Sequence, residues 1–427
     1  MVKELKHTEI GDIPVDWELQ TFDETFRVIS NNTLSRENLN NRGGAVRNIH
    51  YGDILTKFPE VLDCNEEEIP YVNELSLLSS STQLLQDGDI VVADTAEDET
   101  VGKVIEVQNL GDSKLVAGLH TIPCRVKKGD FAPGWLGYYM NSDLFHNQIL
   151  PYITGIKVSS ISKGAISETL ILVPPFDEQE KIVQSLNKIQ LLMTSETKVV
   201  NKIKLVKNGC LSKMFPQKDD TVPEMRLPGF TEAWEQRKLG DEATEMLAGG
   251  DIDKSRVVEN GQYPIYANAL TNDGIVGYYD DYYRVKAPAV TVTGRGDVGH
   301  AQARIDDFTP VVRLLAIRSE HDVYFLENAI NKHVVIVEST GVPQLTVPQL
   351  GNYIISFPTT TEEEIKIGSY FHNLDHLISL HQCKCDKYSN IKKGMMSDLI
   401  TGKIRLVYEE CTHEYWRHRK SYPRSCG

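Results

Sequence analysis

The chain of 427 residues lacks the features of a membrane or secreted protein. No apolar run approaches the roughly 18 residues that a membrane-spanning helix needs, and the first residues, MVKELKHTEIGDIPVDWEL, contain no apolar secretory segment. The seven cysteines are odd in number and irregularly spaced, which argues against a disulfide framework. These absences predict a cytoplasmic protein, without a membrane partner, whose thiols stay reduced.

Two catalytic motifs are also missing. The sequence contains neither the D/N-P-P-Y/F motif of a base methyltransferase nor the G-x-x-x-x-G-K-S/T loop of an ATPase. We therefore expect no catalytic residues and no cofactor. A net positive charge is lacking too, since the formal charge is −15, and this lowers the expectation of a nucleic-acid partner. The acid lies in local runs such as CNEEE and TAEDE, however, so the average leaves room for basic surfaces elsewhere.

An internal repeat organises the chain. KIVQSLNKIQLLM, from Lys181, aligns with KIGSYFHNLDHLI, from Lys366, and the same offset aligns VKNGCLSKMF with IKKGMMSDLI. A second match aligns DWELQTFDE with AWEQRKLGDE, which places Trp17 over Trp234 at a larger offset. The two halves therefore share a beginning and a long final element, and they differ in length only between these two.

Each copy of the final element is predicted to be a long amphipathic helix with a heptad seam. Polar residues interrupt the seam at matching places, Glu196 and Lys207 in the first copy and His381 and Lys392 in the second. Because a polar seam residue can fix register, we expect the helices to pair as an antiparallel coiled coil; the alternative is that each packs only on its own half. The predicted apolar seam residues are Ile182, Leu186, Ile189, Met193, Val200, Ile203, Ile367, Phe371, Leu374, Ile378, Tyr388 and Leu399.

Capping boxes are predicted where these helices start, at Asp177 with Glu180 and at Thr361 with Glu364. The segments before the helices mix short strands, such as DIVVAD and PAVTVTG, with helical stretches such as VYFLENAINKH. We expect α+β domains with mostly antiparallel, strongly twisted sheets. The predicted segments are a first head (1–173), a first helical region (174–215), a proline-containing linker (216–232), a second head (233–357), a second helical region (358–406) and a disordered tail (407–427).

This arrangement resembles the DNA-specificity subunit of a type I restriction-modification system. The resemblance rests on AWEQRKLGDE, on TGVPQLTVPQLGNYIISFP leading into TEEEIKIGSYFHNLDHLISLH, and on MMSDLITGKIRL, and it extends to about Leu406. ADTAEDETVGKVIEV also resembles target-recognition domains of this family. The matching segment of the first half keeps Thr154 and Gly155 but lacks the Pro-Gln that follows Thr340 in the second.

The resemblance implies a non-catalytic subunit whose two target-recognition domains each read one half of a bipartite, asymmetric site in double-stranded DNA. It also implies that the helices set the spacer and bind two methyltransferase subunits, through which restriction and translocase subunits attach. Helices of the predicted length would span about 50 Å. That length would allow two heads to reach half-sites about one turn of B-DNA apart, roughly 34 to 36 Å.

Candidate DNA contacts are side chains that bridge phosphates or read base edges, with Arg and Lys suited to phosphate and guanine and Asn and Gln to adenine. Any one of them is more often a solvated surface group. In the first head the candidates are Arg36, Arg42, Arg47, Lys57, Lys103, Lys157 and Lys163. In the second head they are Lys254, Arg256, Asn268, Asn272, Arg295, Arg304, Lys332 and Gln344.

The stretch TVTGRGDVGH contains a G-x-G-x-x-G pattern at Gly294, Gly296 and Gly299. A dinucleotide site needs a helix after the third glycine, whereas the alternation in VGHAQAR predicts a strand. DETVGKVIEV takes the same place in the first head and keeps only Gly102. We therefore expect a strand connection at which Arg295 approaches DNA. The alternatives are a coiled-coil scaffold that does not bind DNA and, less favoured, a nucleotide-cofactor enzyme that uses Gly294 to Gly299.

The stretch HNLDHLISLHQCKC concentrates residues that could ligate a metal ion. Cys383 and Cys385 stand two positions apart, however, and would point in different directions on a helix. The first copy of the repeat has Lys198 and Val200 at these two positions. We expect no metal site.

Overall fold

A computed structural model describes residues 4–406 except 156, 218–219, 270 and 334–343. The predicted tail at 407–427 lies outside the described residues. The chain divides into two compact units, one formed by Met1–Thr194 with Asp386–Gly427 and the other by Ser195–Cys385. Each unit contains one head and one end of each of the two long helices.

The first unit has a head of short strands and helices, followed by the start of the first long helix. Its elements are β1 (Leu5–Thr8), β2 (Gly11–Pro14), β3 (Glu18–Thr21), α1 (Phe22–Thr25), β4 (Phe26–Val28), β5 (Leu39–Asn40), β6 (Arg47–Ile49), α2 (Tyr51–Thr56), β7 (Val61–Asp63), β8 (Tyr71–Val72), β9 (Ile90–Ala93), β10 (Thr95–Ala96), β11 (Val104–Gln108), β12 (Leu115–Ala117), β13 (Thr121–Val126), α3 (Trp135–Tyr139), α4 (Asp143–Ile149), β14 (Ser159–Ser160), α5 (Lys163–Ser167), β15 (Leu170–Val173) and α6 (Phe176–Met214), of which residues up to Thr194 belong here.

Two larger sheets organise this head. The five-stranded sheet has the order β4-β13-β9-β11-β7, and its central strand β9, of sequence IVVA, is buried at every residue. β-Branched residues favour such a strand because they pack well on both faces of a covered sheet. The four-stranded sheet has the order β12-β6-β8-β5. All pairings in the head are antiparallel except β11 with β7 and β12 with β6.

The second unit repeats this plan, with fewer elements among its described residues. They are β16 (Glu235–Lys238), α7 (Leu239–Glu242), β17 (Ala243–Ala248), β18 (Tyr263–Tyr266), β19 (Ile275–Tyr279), β20 (Ala289–Thr293), β21 (Ala301–Arg304), β22 (Thr309–Pro310), β23 (Leu314–Ser319), α8 (Val323–Lys332), α9 (Val347–Gly351), β24 (Ile354–Phe357) and α10 (Thr361–Ile400), of which residues up to Cys385 belong here.

The two heads share one strand topology. The sheet β17-β23-β20-β21 corresponds to β4-β13-β9-β11, and the parallel pair β18 and β22 corresponds to β6 and β12. The outer pair β16 and β24 corresponds to β3 and β15, which join the beginning of each head to the strand before its long helix. The prediction of α+β heads with mostly antiparallel sheets is confirmed, and the repeat extends through the heads as well as the helices.

The predicted capping residues of the long helices are wrong by position. In α10 the hydroxyl of Thr360, not Thr361, accepts a bond from the Glu363 amide at 3.4 Å. In α6 the Pro175 carbonyl accepts from the amides of Glu178 and Gln179, at 2.9 and 3.0 Å, and Asp177 lies inside the first turn. Proline has no amide proton to lose, so a helix can start directly after it.

Within each unit, the predicted seam residues are buried or half-buried, and most residues between them are exposed or half-buried, with buried exceptions such as Val183 and Gly368. Their polar members are paired. In the second unit Lys207 Nζ donates to both Asp375 oxygens, at 2.6 and 2.7 Å, and His381 contacts Glu196. In the first unit Lys392 Nζ donates to Gln190 Oε1 at 2.7 Å. The contacts of each unit therefore run in opposite directions along α6 and α10.

Each unit contains a buried ion pair between an arginine and a glutamate in the first turn of a long helix. Arg405, which follows α10, donates to both oxygens of Glu178 at 2.7 and 2.6 Å, and Glu178 also accepts from Trp17 Nε1 at 3.0 Å. Arg226, which follows α6, donates to both oxygens of Glu363 at 2.8 Å. Glu178 and Glu363 occupy matching positions in the repeat. The segment predicted as a linker therefore contains a packed anchor.

We expect Arg405→Ala to lower the free energy of unfolding of the first unit by roughly 3 to 5 kcal/mol, because it leaves the Glu178 carboxylate buried without its cation. Denaturant unfolding measures this change, and Lys213→Ala, which breaks an exposed pair with Glu224, serves as the control with no measurable effect. An Arg405→Ala protein that unfolds like the wild type would contradict the role given to this pair.

Candidate nucleic-acid interface

The glycine-rich stretch of the second head is a hairpin connection. The Gly299 amide donates to the Thr293 carbonyl at 2.8 Å, the Thr293 amide donates to the His300 carbonyl at 2.9 Å, and β21 follows. The first head has the same pattern, since the Gly102 amide donates to the Ala93 carbonyl at 2.9 Å and β11 follows. Gly102 and Gly299 have φ of 88° and 91°, a conformation that favours glycine.

The prediction of a strand after Gly299 is confirmed, and a dinucleotide fingerprint is excluded at this place because no helix opens there. Gly294 packs against neighbouring loops and is not part of a phosphate-binding loop. Its amide donates to Asn268 Oδ1 at 2.8 Å, and its carbonyl accepts from the Leu345 amide at 2.9 Å. A β-carbon on Gly294 would lie 2.2 Å from the Arg313 carbonyl oxygen.

This packing brings three loops of the second head together. The backbones of Arg295 and Gln344 form an isolated antiparallel bridge, and Arg313 stands directly before β23. We call Arg295, Arg313 and Gln344 the hairpin corner of the second head. Arg295 and Gln344 are exposed and Arg313 is half-buried, so their side chains lie at the surface.

The first head has an equivalent hairpin corner formed by Thr95, His120 and Ser160. Thr95 pairs with Ser160 between β10 and β14, as Arg295 pairs with Gln344, and His120 stands directly before β13. The Asp94 carbonyl accepts from the Ile161 amide at 2.9 Å, matching the bond from Leu345 to Gly294. Thr95 Oγ1 and His120 Nδ1 lie 3.2 Å apart. The backbone of the corner is repeated, but its side chains differ.

The other candidates of the second head are exposed or are engaged in contacts within the protein. Lys254 and Asn272 are exposed. Arg256, also exposed, pairs with Asp281 at 2.7 Å. Arg304 is buried, with its guanidinium 2.8 Å from Asp273 and 3.6 Å from the centre of the Tyr266 ring.

Two further candidates of the second head hold the backbone in place. Lys332 Nζ donates to the carbonyls of Phe215 and Pro216, at 2.9 and 3.2 Å, and burial lowers the pKa of this amine. Asn268 donates to the Val312 carbonyl at 3.1 Å while it accepts from Gly294. The structure therefore brings Arg295, Gln344 and Asn268 together and does not bring Arg304 or Lys332 to the same surface.

The candidates of the first head divide in the same way. Arg42, Lys157 and Lys163 are exposed, as are Lys57, which contacts the Glu68 carbonyl, and Arg36, which pairs with Asp53 at 2.6 Å. The remaining two candidates are internal.

Arg47 is buried and donates to the Cys64 carbonyl at 2.6 Å. Lys103 donates to the carbonyls of Leu55 and Phe58, at 3.2 and 3.3 Å, and its burial lowers the pKa of the amine. The donors of these two residues hold loops of the head together.

The sequence reasoning missed Arg313 and His120. Both have a left-handed backbone, with φ of 70° and 57°, which only a few per cent of residues other than glycine adopt. The residue types at these positions give no signal of such a backbone. The available signal is their equivalent place, directly before β13 and β23, the last strands of the repeated sheet in chain order. It becomes visible when the two heads are aligned by strand order.

Three of the histidine and cysteine residues of α10, His372, His381 and Cys385, make contacts within the protein. His372 stacks against Tyr324 with ring centres 4.0 Å apart, and the sulfur of Cys385 lies 3.7 Å from the Thr197 hydroxyl. Among the residues that the structure describes, no group of three or more His, Cys, Asp or Glu side chains is placed to hold a metal ion. In the same part of the chain, no helix is long and apolar enough to cross a membrane.

Comparison with known proteins gives one consistent result. Residues 14–205 and 231–387 match the family model described as the type I restriction modification DNA specificity domain. A putative type I restriction enzyme specificity subunit, MjaX, from Methanocaldococcus jannaschii is 23% identical over 94% of this chain and 96% of its own length.

Solved structures agree on the fold. The S subunit of a type I restriction-modification system from M. genitalium aligns with a TM-score of 0.59 at 14% identity, covering 93% of this chain and 99% of the other. A chain from a study of assembly and conformational transition of the type I system aligns with a TM-score of 0.50 at 14% identity, covering 92% and 99%.

We expect Gly294→Ala to destabilise the second unit, because the added methyl group would meet the Arg313 carbonyl and force the three loops apart. Gly209→Ala is the matched control, since that helical glycine has open space around it and alanine should stabilise a helix by about 1 kcal/mol. Thermal unfolding of both variants compares the two effects. Equal stability of Gly294→Ala and the wild type would show that the loops are not held in this way.

Proposed function

The chain belongs to the type I restriction modification DNA specificity family, and from this premise we propose that each head reads one half of a bipartite, asymmetric DNA target. The protein is a recognition subunit and not itself an enzyme; DNA and the other subunits of a type I system are its partners. The observation that carries the bipartite proposal is the repeated strand topology of the heads with different side chains at their hairpin corners.

Two DNA-reading heads with the same backbone framework and different contact residues would account for both the repeated topology and the different side chains. Equivalent backbone bonds at Gly102 and Gly299 hold both corners in the same shape. The side chains presented there are Thr95, His120 and Ser160 in one head and Arg295, Arg313 and Gln344 in the other. Different donors and acceptors on one framework would select different base pairs, so the two halves of the target would differ.

We propose that α6 and α10 pair as an antiparallel coiled coil that sets the spacer between the half-sites. The burial of their seams and the Lys207-Asp375 and Lys392-Gln190 bonds support this pairing. The helices have 39 and 40 residues, which corresponds to about 60 Å each. A length of that order suits half-sites separated by roughly 34 to 36 Å, one turn of B-DNA.

The helices also carry apolar side chains that are not used by the seam. Leu192 and Leu377 occupy matching positions of the repeat and are 46% and 43% exposed; Val206 and Ile391 also match and are 45% and 40% exposed. Each of these four residues directly precedes a seam position. Apolar side chains exposed twice at the same register are typical of a protein interface rather than of an ordinary surface.

We infer that these residues form two docking faces of one kind. Antiparallel register puts Leu192 at the level of Ile391 in the first unit, and Val206 at the level of Leu377 in the second. Two equivalent faces would bind two methyltransferase subunits, and the restriction and translocase subunits would attach through them. The exposed glycines Gly209 and Gly394, which also match in the repeat, would allow a partner backbone to approach closely.

Replacing the segment from Trp17 to Pro174 with the head of another specificity subunit should change one half of the target and leave the other half unchanged. Sequencing of methylated motifs, in cells that express the matching methyltransferase, measures both halves at once. Replacing the second head instead is the reciprocal control. A swap that changes both halves, or no methylated motif that depends on the chain, would favour a scaffold that does not read DNA.

The double variant Leu192→Asp with Ile391→Asp should reduce the number of bound methyltransferase subunits from two to one, because charge on an apolar interface resists desolvation. Val206→Asp with Leu377→Asp should do the same through the second face. Native mass spectrometry counts the subunits. Val276→Asp, on an exposed apolar residue of a head, is the control that keeps two. Two subunits retained by both double variants would place the docking elsewhere.

A further inference from the structure

The residue directly before β13 in the first head, and directly before β23 in the second, is held in an unfavourable backbone conformation. His120 before β13 has φ of 57° and Arg313 before β23 has φ of 70°. A residue with a β-carbon pays a cost in this region that glycine avoids. Both heads nevertheless place a large polar side chain at this point, which indicates that the side chain itself is needed there.

The neighbours of these two residues are also equivalent. In the second head, Arg295 and Gln344 are bridged through their backbones, and the Gly294 packing against the Arg313 carbonyl fixes the distance between the loops. In the first head, Thr95 is bridged to Ser160 and its hydroxyl contacts His120. The backbones of three loops thus meet at the hairpin corner of the second head, and the first head repeats the bridge with a contact between Thr95 and His120.

The chemistry of the second corner points to particular bases. A guanidinium donates two parallel bonds to the O6 and N7 atoms of guanine, and a glutamine amide pairs with N6 and N7 of adenine. Arg295, Arg313 and Gln344 together provide two groups of the first kind and one of the second. The first corner provides hydroxyl and imidazole groups, which both donate and accept and are less selective.

Building on the two-headed reading proposed above, we propose that position 120 in the first head and position 313 in the second are base-reading positions. Arg313 would contact a guanine in the half-site of the second head, with Arg295 and Gln344 contacting the base pairs beside it. His120 would read the half-site of the first head. The left-handed backbone would aim each side chain away from the sheet and toward the major groove.

A phosphate contact by Arg313 is the main rival, and it has a different consequence. A lost phosphate contact weakens binding uniformly across sequences and lowers the salt dependence by about one unit of slope. A lost base contact instead relaxes discrimination at one base pair. Measuring affinity against a panel of single base-pair variants of the target therefore separates the two.

The test uses the full chain assembled with its methyltransferase subunits, and fluorescent duplexes that carry the target and each of its single base-pair variants. Arg313→Gly removes the side chain while glycine accepts the positive φ, so the variant should fold. We expect discrimination at one guanine-containing base pair of the second half to fall by roughly 10- to 100-fold and the first half to be read as before. His120→Gly should affect only the first half.

Lys286→Ala is the matched control, because it removes an exposed cation from the same head outside the hairpin corner and should leave discrimination unchanged. A wild-type complex that shows no bipartite preference would defeat the proposed function itself. If the wild-type complex discriminates and the Arg313→Gly complex discriminates equally well at every base pair, the inference about Arg313 is wrong. The proposed function is not affected by that result. A uniform loss of affinity would overturn the inference in favour of a phosphate contact.

Discussion

Two buried carboxylates, Glu178 and Glu363, set the constraint on which both units depend. Each is 1% exposed and lies in the first turn of a long helix, where a charge without a partner would be strongly destabilising. The compensating cation comes from the segment that leaves the other helix, Arg405 for Glu178 and Arg226 for Glu363. Each pair therefore joins the segment after one long helix to the first turn of the other, in agreement with the antiparallel contacts within each unit.

The two heads share a backbone framework, whereas the side chains at their hairpin corners differ. Their strand order and the amide bonds of Gly102 and Gly299 are repeated, because a left-handed turn and a close backbone approach leave few alternatives. The residue types at the hairpin corners differ at all three positions, although His120 and Arg313 share a left-handed backbone. Functional side chains are often carried in this way, on loops that a rigid framework positions.

Much of this organisation could be predicted from the sequence, because repeats and heptad seams are periodic. The seam, the two polar interruptions and the strand after Gly299 could all be predicted from spacing alone. The pairing of Arg226 with Glu363 could not be predicted, because Arg226 lies in a proline-containing segment without periodicity and Glu363 lies 137 residues further along the chain. The same holds for Arg304, a plausible DNA contact by residue type whose burial beside Asp273 and Tyr266 depends on tertiary packing. The left-handed backbone of Arg313 is likewise invisible in the residue type.

The central claim is that two heads held at a fixed separation read two different half-sites. Binding of the assembled complex to duplexes that carry both half-sites, with spacers lengthened or shortened by single base pairs, tests it most directly. Each added pair rotates one half-site relative to the other by about a tenth of a helical turn. The account predicts a sharp maximum of affinity at one spacer length and loss of binding when either half is scrambled. Affinity that is independent of the spacer, or that needs one half alone, would contradict it.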